Sequence, residues 1–224
     1  MKSTTPIVLF LLTCASLTAA RADHPWRHDH LGLSVQAGSF SLEGPEVSEG
    51  PDIGEEDVDM FGLRAEGHVL LGDTWYARGV ADLSRLDGDA GLVQANASIG
   101  TIRSLTKWGT WNIDGYLQAG IEYVRASDLD RISTNLEIDG SGDEVGATAE
   151  IGVSLGFRPD SRVEFFAKYL ALGDGGVSFG IRASHDLNEL WTLTGGVDAV
   201  WVEDGIAPFD LDLQRLSLGV LRKF

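Results

Sequence analysis

Apolar and polar residues alternate with a period of two along most of this chain. From Trp191 to Trp201 every odd position is apolar or glycine, and the even positions include two threonines and Asp198. A period of two is typical of a β-strand whose two faces meet different surroundings. Tryptophan at both ends of the apolar face is typical of a strand that crosses a bilayer. A soluble sandwich strand is the alternative, but this segment is about twice as long as most such strands.

The same alternation recurs and predicts an all-β fold, a transmembrane antiparallel up-and-down β-barrel of ten strands, with eight as the alternative count. The predicted strands are 31–40, 58–71, 75–85, 91–103, 110–125, 145–158, 162–172, 176–186, 191–202 and 211–224. Every proline after residue 22 falls outside these segments, as a closed hydrogen-bonded sheet requires. Short connections alternate with longer ones, which is typical of inner turns and outer loops in such barrels.

The first 22 residues have the pattern of a secretory signal peptide. Lys2 precedes an apolar stretch at 7–12, and Ala20 and Ala22 are small residues at the two positions that a signal peptidase reads. We therefore predict a signal peptide at 1–22 and one barrel domain at 23–224. Cys14, the single cysteine, lies within the signal peptide, so the mature chain is expected to have no disulfide.

The C-terminal strand carries alternate apolar residues that end in an aromatic residue. Leu216, Leu218, Val220 and Phe224 share one face. This ending resembles the insertion signal of bacterial outer-membrane β-barrel proteins, although Arg222 stands where that family usually has an aromatic or apolar residue. The resemblance implies a location in the outer membrane of a Gram-negative cell envelope. It also implies contact with the barrel assembly machinery, with outer-membrane lipids and with lipopolysaccharide.

The chain is strongly acidic, with 34 Asp and Glu against 17 Lys and Arg and a formal net charge of −17. This balance argues against a nucleic-acid partner, which needs a basic face. The acids concentrate in and beside two predicted outer loops, at Glu43, Glu46, Glu49, Asp52, Glu55, Glu56, Asp57 and Asp59, and at Asp128, Asp130, Glu137, Asp139, Asp143 and Glu144. Carboxylate oxygens are ligands for divalent cations, so such cations are possible partners there. A solvated acidic surface is the alternative.

The predicted inward faces carry acids and bases in nearly equal number. The acids are Glu66, Asp82, Asp114, Glu122, Glu150, Glu164 and Asp198, and the bases are Arg64, Arg78, Arg158, Lys168, Arg182 and Arg215. Charges in a narrow lumen are expected to pair, since an unpaired buried charge is costly. We therefore predict a largely plugged polar lumen. A narrow pore for small solutes or ions is the alternative, because six inward glycines would leave a gap: Gly120, Gly152, Gly156, Gly180, Gly196 and Gly219.

Histidines provide the remaining candidate chemistry. His24, His28 and His30 surround Asp29 and can in principle hold a transition metal weakly, but the segment is short. An outer-membrane protease or lipid A-modifying enzyme is the competing class. His68 and His185 lie near the inner ends of their strands, away from any outer-rim Asp, so we expect no enzyme. No catalytic, cofactor-binding or metal residue is predicted, and the expected role is structural, adhesive or a surface interaction.

Overall fold

A computed structural model describes residues 29–43, 56–86, 90–109, 111–127, 141–206 and 209–224. These residues form ten β-strands: β1 (His30–Glu43), β2 (Glu56–Leu70), β3 (Trp75–Leu86), β4 (Gly91–Trp108), β5 (Trp111–Ser127), β6 (Ser141–Arg158), β7 (Ser161–Ala171), β8 (Gly175–Asp186), β9 (Trp191–Ile206) and β10 (Phe209–Lys223). Each strand pairs antiparallel with its neighbours in the chain, and β1 pairs with β10. The sheet is a closed barrel, which confirms ten strands over eight. The predicted signal peptide lies outside the described residues.

The two ends of the barrel differ in their connections. Residues 71–74, 109–110, 159–160 and 187–190 connect strands at the end that holds the first residue of β1 and Phe224. The other end has the connections 44–55, 87–90, 128–140, 172–174 and 207–208. Barrels of this type place short turns on the periplasmic side and longer loops outside. We therefore call the first end the inner end and the second the outer end.

Several strands continue beyond their predicted bounds. β5 extends to Ser127 and β6 begins at Ser141, where Arg125 pairs in register with Asp143. Backbone hydrogen bonds and opposite charges across the ladder support these ends, although their outward face is polar rather than apolar. β4 continues to Trp108 past a register shift between Ser104 and Thr106. The apolar alternation on which the prediction rested ends before the pairing does.

The strands are staggered around the barrel. A path of paired residues that starts at Leu86 and passes once through all ten strands returns to Thr74, the residue before β3, twelve residues lower. A stagger of this size tilts the strands by about 40° from the barrel axis, as closure requires. Each strand therefore crosses an apolar layer obliquely, and about ten residues span it.

The apolar faces point outward, as predicted. Val197, in the middle of β9, is 49% exposed, and Ile151 and Leu216 are exposed at comparable depth. Exposed tryptophans lie at the inner ends of four strands, at Trp75, Trp108, Trp111 and Trp191, and Trp201 and Tyr169 lie toward the outer end. Such a belt with aromatic residues at its borders fits a bilayer. None of the described residues forms a helix long and apolar enough to span a membrane.

Aromatic rings fill the space beside several inward glycines. The pairs are Tyr76 over Gly100, Tyr116 over Gly152 and Phe166 over Gly180, and each is a register pair on adjacent strands. Backbone oxygens approach Gly120, Gly196 and Gly219 in the same way. The alternative in which these inward glycines leave a gap is therefore not supported, except at Gly156, where the nearest atom to an added Cβ would be 3.8 Å away. Rings laid over strand glycines stabilise curved sheets.

This packing predicts that a methyl group is costly at Gly152 and harmless at Gly156. A Cβ at Gly152 would collide with the Tyr116 ring, whose hydroxyl is held by Glu150 at 2.7 Å. We expect Gly152→Ala to lower the free energy of unfolding by about 1–3 kcal/mol. Gly156→Ala, on the same strand and face, is the matched control and should change it by less than about 0.5 kcal/mol. Urea titrations of the barrel in lipid vesicles measure both, and equal effects would contradict the packing.

Candidate functional site: the three layers of the lumen

The outer part of the lumen is filled with apolar side chains. Phe40 and Leu213 are fully buried there. The layer consists of Phe40, Val58, Met60, Leu86, Ala90, Leu92, Val124, Ala126, Leu170, Leu172, Val200, Val202, Leu211 and Leu213. The prediction of a polar lumen is wrong for this part of the barrel. The apolar set changes faces toward the outer end of β10, where Leu211 and Leu213 point inward while Leu216 and Leu218 point to lipid.

Ion pairs form the middle layer. Arg215 donates to Asp198 from Nε at 3.0 Å and from Nη2 at 2.5 Å, and from Nη1 to Gln94 at 2.5 Å. Its Nη1 also lies 3.4 Å from Asp82, which accepts a two-pronged contact from Arg64 at 2.7 and 2.9 Å. Both arginines are largely buried. This network joins β2, β3, β4, β9 and β10, so it ties opposite walls of the barrel together.

A second network occupies the other side of the same layer. Arg182 donates from Nη1 to Glu164 at 2.6 Å and to Glu150 at 3.3 Å. The Tyr116 hydroxyl lies within hydrogen-bond distance of the same two carboxylates, 2.7 Å from Glu150 and 2.9 Å from Glu164, and its single proton is shared between them. Arg78 approaches Glu150 at 3.9 Å. A separate pair joins Lys168 to Glu122 at 2.6 Å.

These contacts confirm that most of the predicted inward charges pair within the lumen. Asp198 has Arg215 as its partner, and Arg182 binds glutamates instead. Arg158 differs, because it is exposed beside the inner turn at 159–160. Charges that leave water are stabilised only when partners and hydrogen bonds replace it. The paired charges of the middle layer therefore bridge the lumen, as expected for a plug.

The inner layer contains a cavity of about 130 Å³. His30 stacks on His68, with ring centroids 5.0 Å apart and 5° between the planes, and His68 stacks on Tyr76 at 4.8 Å. Arg162 and Arg182 line the opposite wall. Neither the stack nor the cavity was predicted from the sequence. The sequence signal for the stack was that His30, His68 and Tyr76 all occupy inward positions near the inner ends of β1, β2 and β3.

Of the three candidate histidines near the N-terminus, only His30 lies within the described residues. His30 faces the cavity, and Asp29 accepts a hydrogen bond from the backbone N–H of Leu70 at 2.8 Å. His24 and His28 lie outside the described residues, as does most of both acidic loops. Across the part of the chain that the structure describes, no group of three or more His, Cys, Asp or Glu residues is arranged to hold a metal ion.

A serine and a histidine meet at the inner rim, on the outward face of the barrel. The Ser161 hydroxyl lies 2.8 Å from Nδ1 of His185 and 3.0 Å from the Asp160 carboxylate. In a hydrolytic triad the acid binds the imidazole and the imidazole binds the serine. Here the Asp160 carboxylate accepts the hydrogen bond of the serine itself, so the acid does not orient the imidazole as it does in a triad. The three side chains form a hydrogen-bonded cluster beside the inner turn at 159–160.

Comparisons with known proteins found similar folds at low sequence identity. No protein family and no curated protein matches the sequence. The translocator domain of the autotransporter NalP from Neisseria meningitidis is 10% identical, with a TM-score of 0.44 over 97% of this chain and 94% of that one. An outer-membrane channel from Pseudomonas putida F1 is 9% identical, with a TM-score of 0.42 over 93% and 100%. Outer-membrane phospholipase A from Escherichia coli is 10% identical, with a TM-score of 0.36 over 97% of each chain.

The closed sheet and its exterior define the class of this protein. In a membrane every backbone polar group needs a partner, and a closed barrel supplies one for each strand. An exposed apolar belt bordered by aromatic residues surrounds this barrel, and its lumen holds the charges. The molecule is a small outer-membrane β-barrel with ten transmembrane strands.

Proposed function

We propose that this protein is a non-conducting outer-membrane barrel with a structural, adhesive or other surface-interaction role. The observation that carries the proposal is the double closure of the lumen. An apolar layer that contains fully buried Phe40 and Leu213 lies above an ion-pair layer that contains Arg215 and Asp198. Ions do not enter a dry apolar constriction readily. A solute would have to disrupt both layers to cross.

The outer connections support a role at the cell surface. The connections 44–55 and 128–140 are the longest in the barrel and both lie at the outer end. Loops carry binding functions more often than the scaffold that holds them. We propose that these loops are the interaction surface. Their acidic sequence fits partners that are cationic or that are bridged by divalent cations, including the phosphates of lipopolysaccharide.

The exterior and the last strand suggest the remaining partners. The apolar belt is proposed to contact outer-membrane lipids directly. β10 pairs with β1 and β9, and its end bears the exposed Phe224, whose N–H donates to the Asp29 carbonyl at 2.9 Å. We propose that β10 is the strand read by the barrel assembly machinery. Nothing in this role requires catalysis, and we propose none.

Conductance measurements test the closure of the lumen. The purified barrel in a planar bilayer is expected to give no stepwise conductance at moderate voltage, because both layers block ions. Phe40→Ala with Leu213→Ala thins the apolar layer and should leave the barrel closed, since the ion pairs remain. Adding Arg215→Ala and Asp198→Ala should then produce open steps.

The variants distinguish a plug from a pore. Stable steps from the unchanged protein would support the alternative, a narrow channel for small solutes or ions, and would contradict the proposal. Opening by the double apolar change alone would mean that the ion pairs do not seal the lumen. A mutant pair on the lipid face, Val35→Ala with Leu216→Ala, is the control for loss of apolar volume and should remain closed.

A further inference from the structure

The outward faces of β1 and β2 together carry a diagonal ridge of large apolar side chains. Leu33 and Val35 lie in the inner half of β1, and Phe61 and Leu63 lie in the outer half of β2. All four are exposed, and Leu33, at 68%, is the most exposed aliphatic side chain among the described residues. Val35 pairs in register with Leu63, so the two halves of the ridge meet at the middle of the barrel wall.

Small residues leave a recess on each side of this ridge. On the inner side, Ala65 on β2 pairs in register with Ala81 on β3. On the outer side, Ala37 and Ser39 of β1 begin a groove that continues over the outward face of the barrel as far as Phe165 on β7. The surface formed by β1 and β2 is therefore high along one diagonal and low along the other.

A two-fold axis along the membrane normal is the symmetry that a pair of identical barrels can adopt, because both copies have the same orientation in the bilayer. If this axis passes beside β1 and β2, β1 of each copy faces β2 of the other at equal height. A stagger of twelve residues over ten strands places the β2 partner of any β1 residue about one residue nearer the outer end. Facing residues therefore interdigitate rather than meet head on.

About this axis the ridges of the two copies cross, and each end of a ridge enters a recess of the other copy. Leu33 faces the recess at Ala65, and Phe61 faces the recess at Ala37 and Ser39. Large residues opposite small ones allow two backbones to approach closely. Between membrane segments, such packing stabilises association, because lipid tails are as apolar as the protein surface and provide no hydrophobic driving force.

A polar pair at the outer border of the belt fits the same axis. Ser39 and Asp59 are register partners on β1 and β2, on the outward face, and Asp59 is exposed. Across the axis, Ser39 of one copy faces Asp59 of the other, so a hydroxyl donor is opposite a carboxylate acceptor twice in each dimer. Lipid tails supply no partner to either group, so a second copy satisfies both better than lipid does.

We propose that the outward face of β1 and β2 is the contact surface of a homodimer, with two barrels side by side in the outer membrane. A second copy is the occupant because both the shape and the polar groups of this face complement themselves about one axis. The dimer does not depend on the proposed closure of the lumen, since the contact lies entirely outside the barrel. Conductance and association can therefore fail separately.

Sedimentation equilibrium of residues 23–224, refolded in density-matched detergent micelles, tests association. The unchanged protein is expected to show a reversible equilibrium between monomer and dimer. Ala37→Phe fills the recess that receives Phe61, and it should weaken dimerisation roughly tenfold or more. Ala149→Phe, on the exposed outward face of β6 at the opposite wall, is the matched control and should have no effect. A protein that stays monomeric at every concentration, or equal effects of the two variants, overturns the proposal.

An exchange of residues separates loss of the contact from damage to the barrel. Adding Phe61→Ala to Ala37→Phe exchanges the large and small members of one register pair. The exchange should recover most of the dimerisation, because the new phenylalanine of each copy then faces the new alanine of the other. The faster gel mobility of unheated barrel checks that each variant folds. A folded double variant that dimerises as weakly as Ala37→Phe alone overturns the proposed packing.

Disulfide formation in lipid vesicles locates the contact. Residues 23–224 contain no cysteine, so a mixture of Ser39→Cys barrels with Asp59→Cys barrels reports pairing between copies. Oxidation is expected to link the two into a dimer. In the control mixture Val145→Cys, at an exposed position toward the outer end of β6, replaces Ser39→Cys and should give only the yield of random collisions. Equal yields from the two mixtures overturn the assignment of this face.

Discussion

Replacing Arg215 with methionine is expected to lower the free energy of unfolding by about 3–5 kcal/mol. The guanidinium is largely buried and binds Asp198 through two nitrogens, at 3.0 and 2.5 Å. Its removal leaves the Asp198 carboxylate inside the lumen without this partner, whereas Asp82 keeps Arg64 at 2.7 Å. Methionine preserves most of the side-chain volume, so the loss reports charge rather than packing. Urea titrations of the barrel folded into lipid vesicles measure the change.

Two further variants separate the cost of an isolated charge from the value of the pair. Arg215→Met with Asp198→Leu removes both charges, and it should recover most of the stability that Arg215→Met loses. Arg125→Met, at an exposed position near the outer rim, should cost less than about 1 kcal/mol. A double variant as unstable as the single one would show that the network stabilises the barrel through more than charge neutralisation. An Arg215→Met effect no larger than that of Arg125→Met would contradict the described plug.

Replacing Val197 with arginine is expected to cost about 2–4 kcal/mol, because it places a charge on the lipid face near mid-membrane. Val197 is exposed on β9 midway between Trp191 and Trp201. Its register partners, Ile181 and Leu216, are also exposed apolar residues, so the added guanidinium finds only lipid and apolar side chains nearby. The same vesicle titrations measure this change.

Two control variants test the lipid face and the inward face near Val197. Val197→Leu keeps the lipid face apolar and should be nearly neutral. Ser217→Thr tests the inward face, since Ser217 pairs with Gly196 and its hydroxyl lies 3.4 Å from the Gly196 carbonyl. It should cost less than about 1 kcal/mol. Gly196 itself is a poor test position, because an added Cβ would lie 2.8 Å from the Ile181 carbonyl oxygen. Greater damage from Ser217→Thr than from Val197→Arg would invert the assignment of the faces.

Local pattern was sufficient for the strands and their faces. Alternation between Trp191 and Trp201 places Val197 on one side of the sheet and Asp198 on the other, because successive side chains of a strand point in opposite directions. Ten such segments, with prolines only outside them, leave few ways to satisfy the backbone in a membrane other than closure. The chain therefore specifies the class of fold through periodicity that is local in sequence.

The sequence also contains a signal for the apolar outer layer that simple alternation does not predict. Along β10 the apolar residues are Leu211 and Leu213 and then, after one extra step, Leu216 and Leu218. The change from odd to even positions means that the apolar side of the strand changes from lumen to lipid. If each strand is given one lipid face along its whole length, Leu211 and Leu213 fall on the side that is expected to be polar.

What only the tertiary structure decided is which inward groups meet. Asp198 is bound by Arg215 rather than Arg182, and Tyr116 rather than empty space lies beside Gly152. These choices depend on the stagger of the closed sheet, which brings residues more than a hundred positions apart, such as Arg215 and Gln94, to 2.5 Å. Alternation along one strand fixes the side of a residue but not its height relative to the opposite wall. Chain closure sets that height, and with it the plug and the inner cavity.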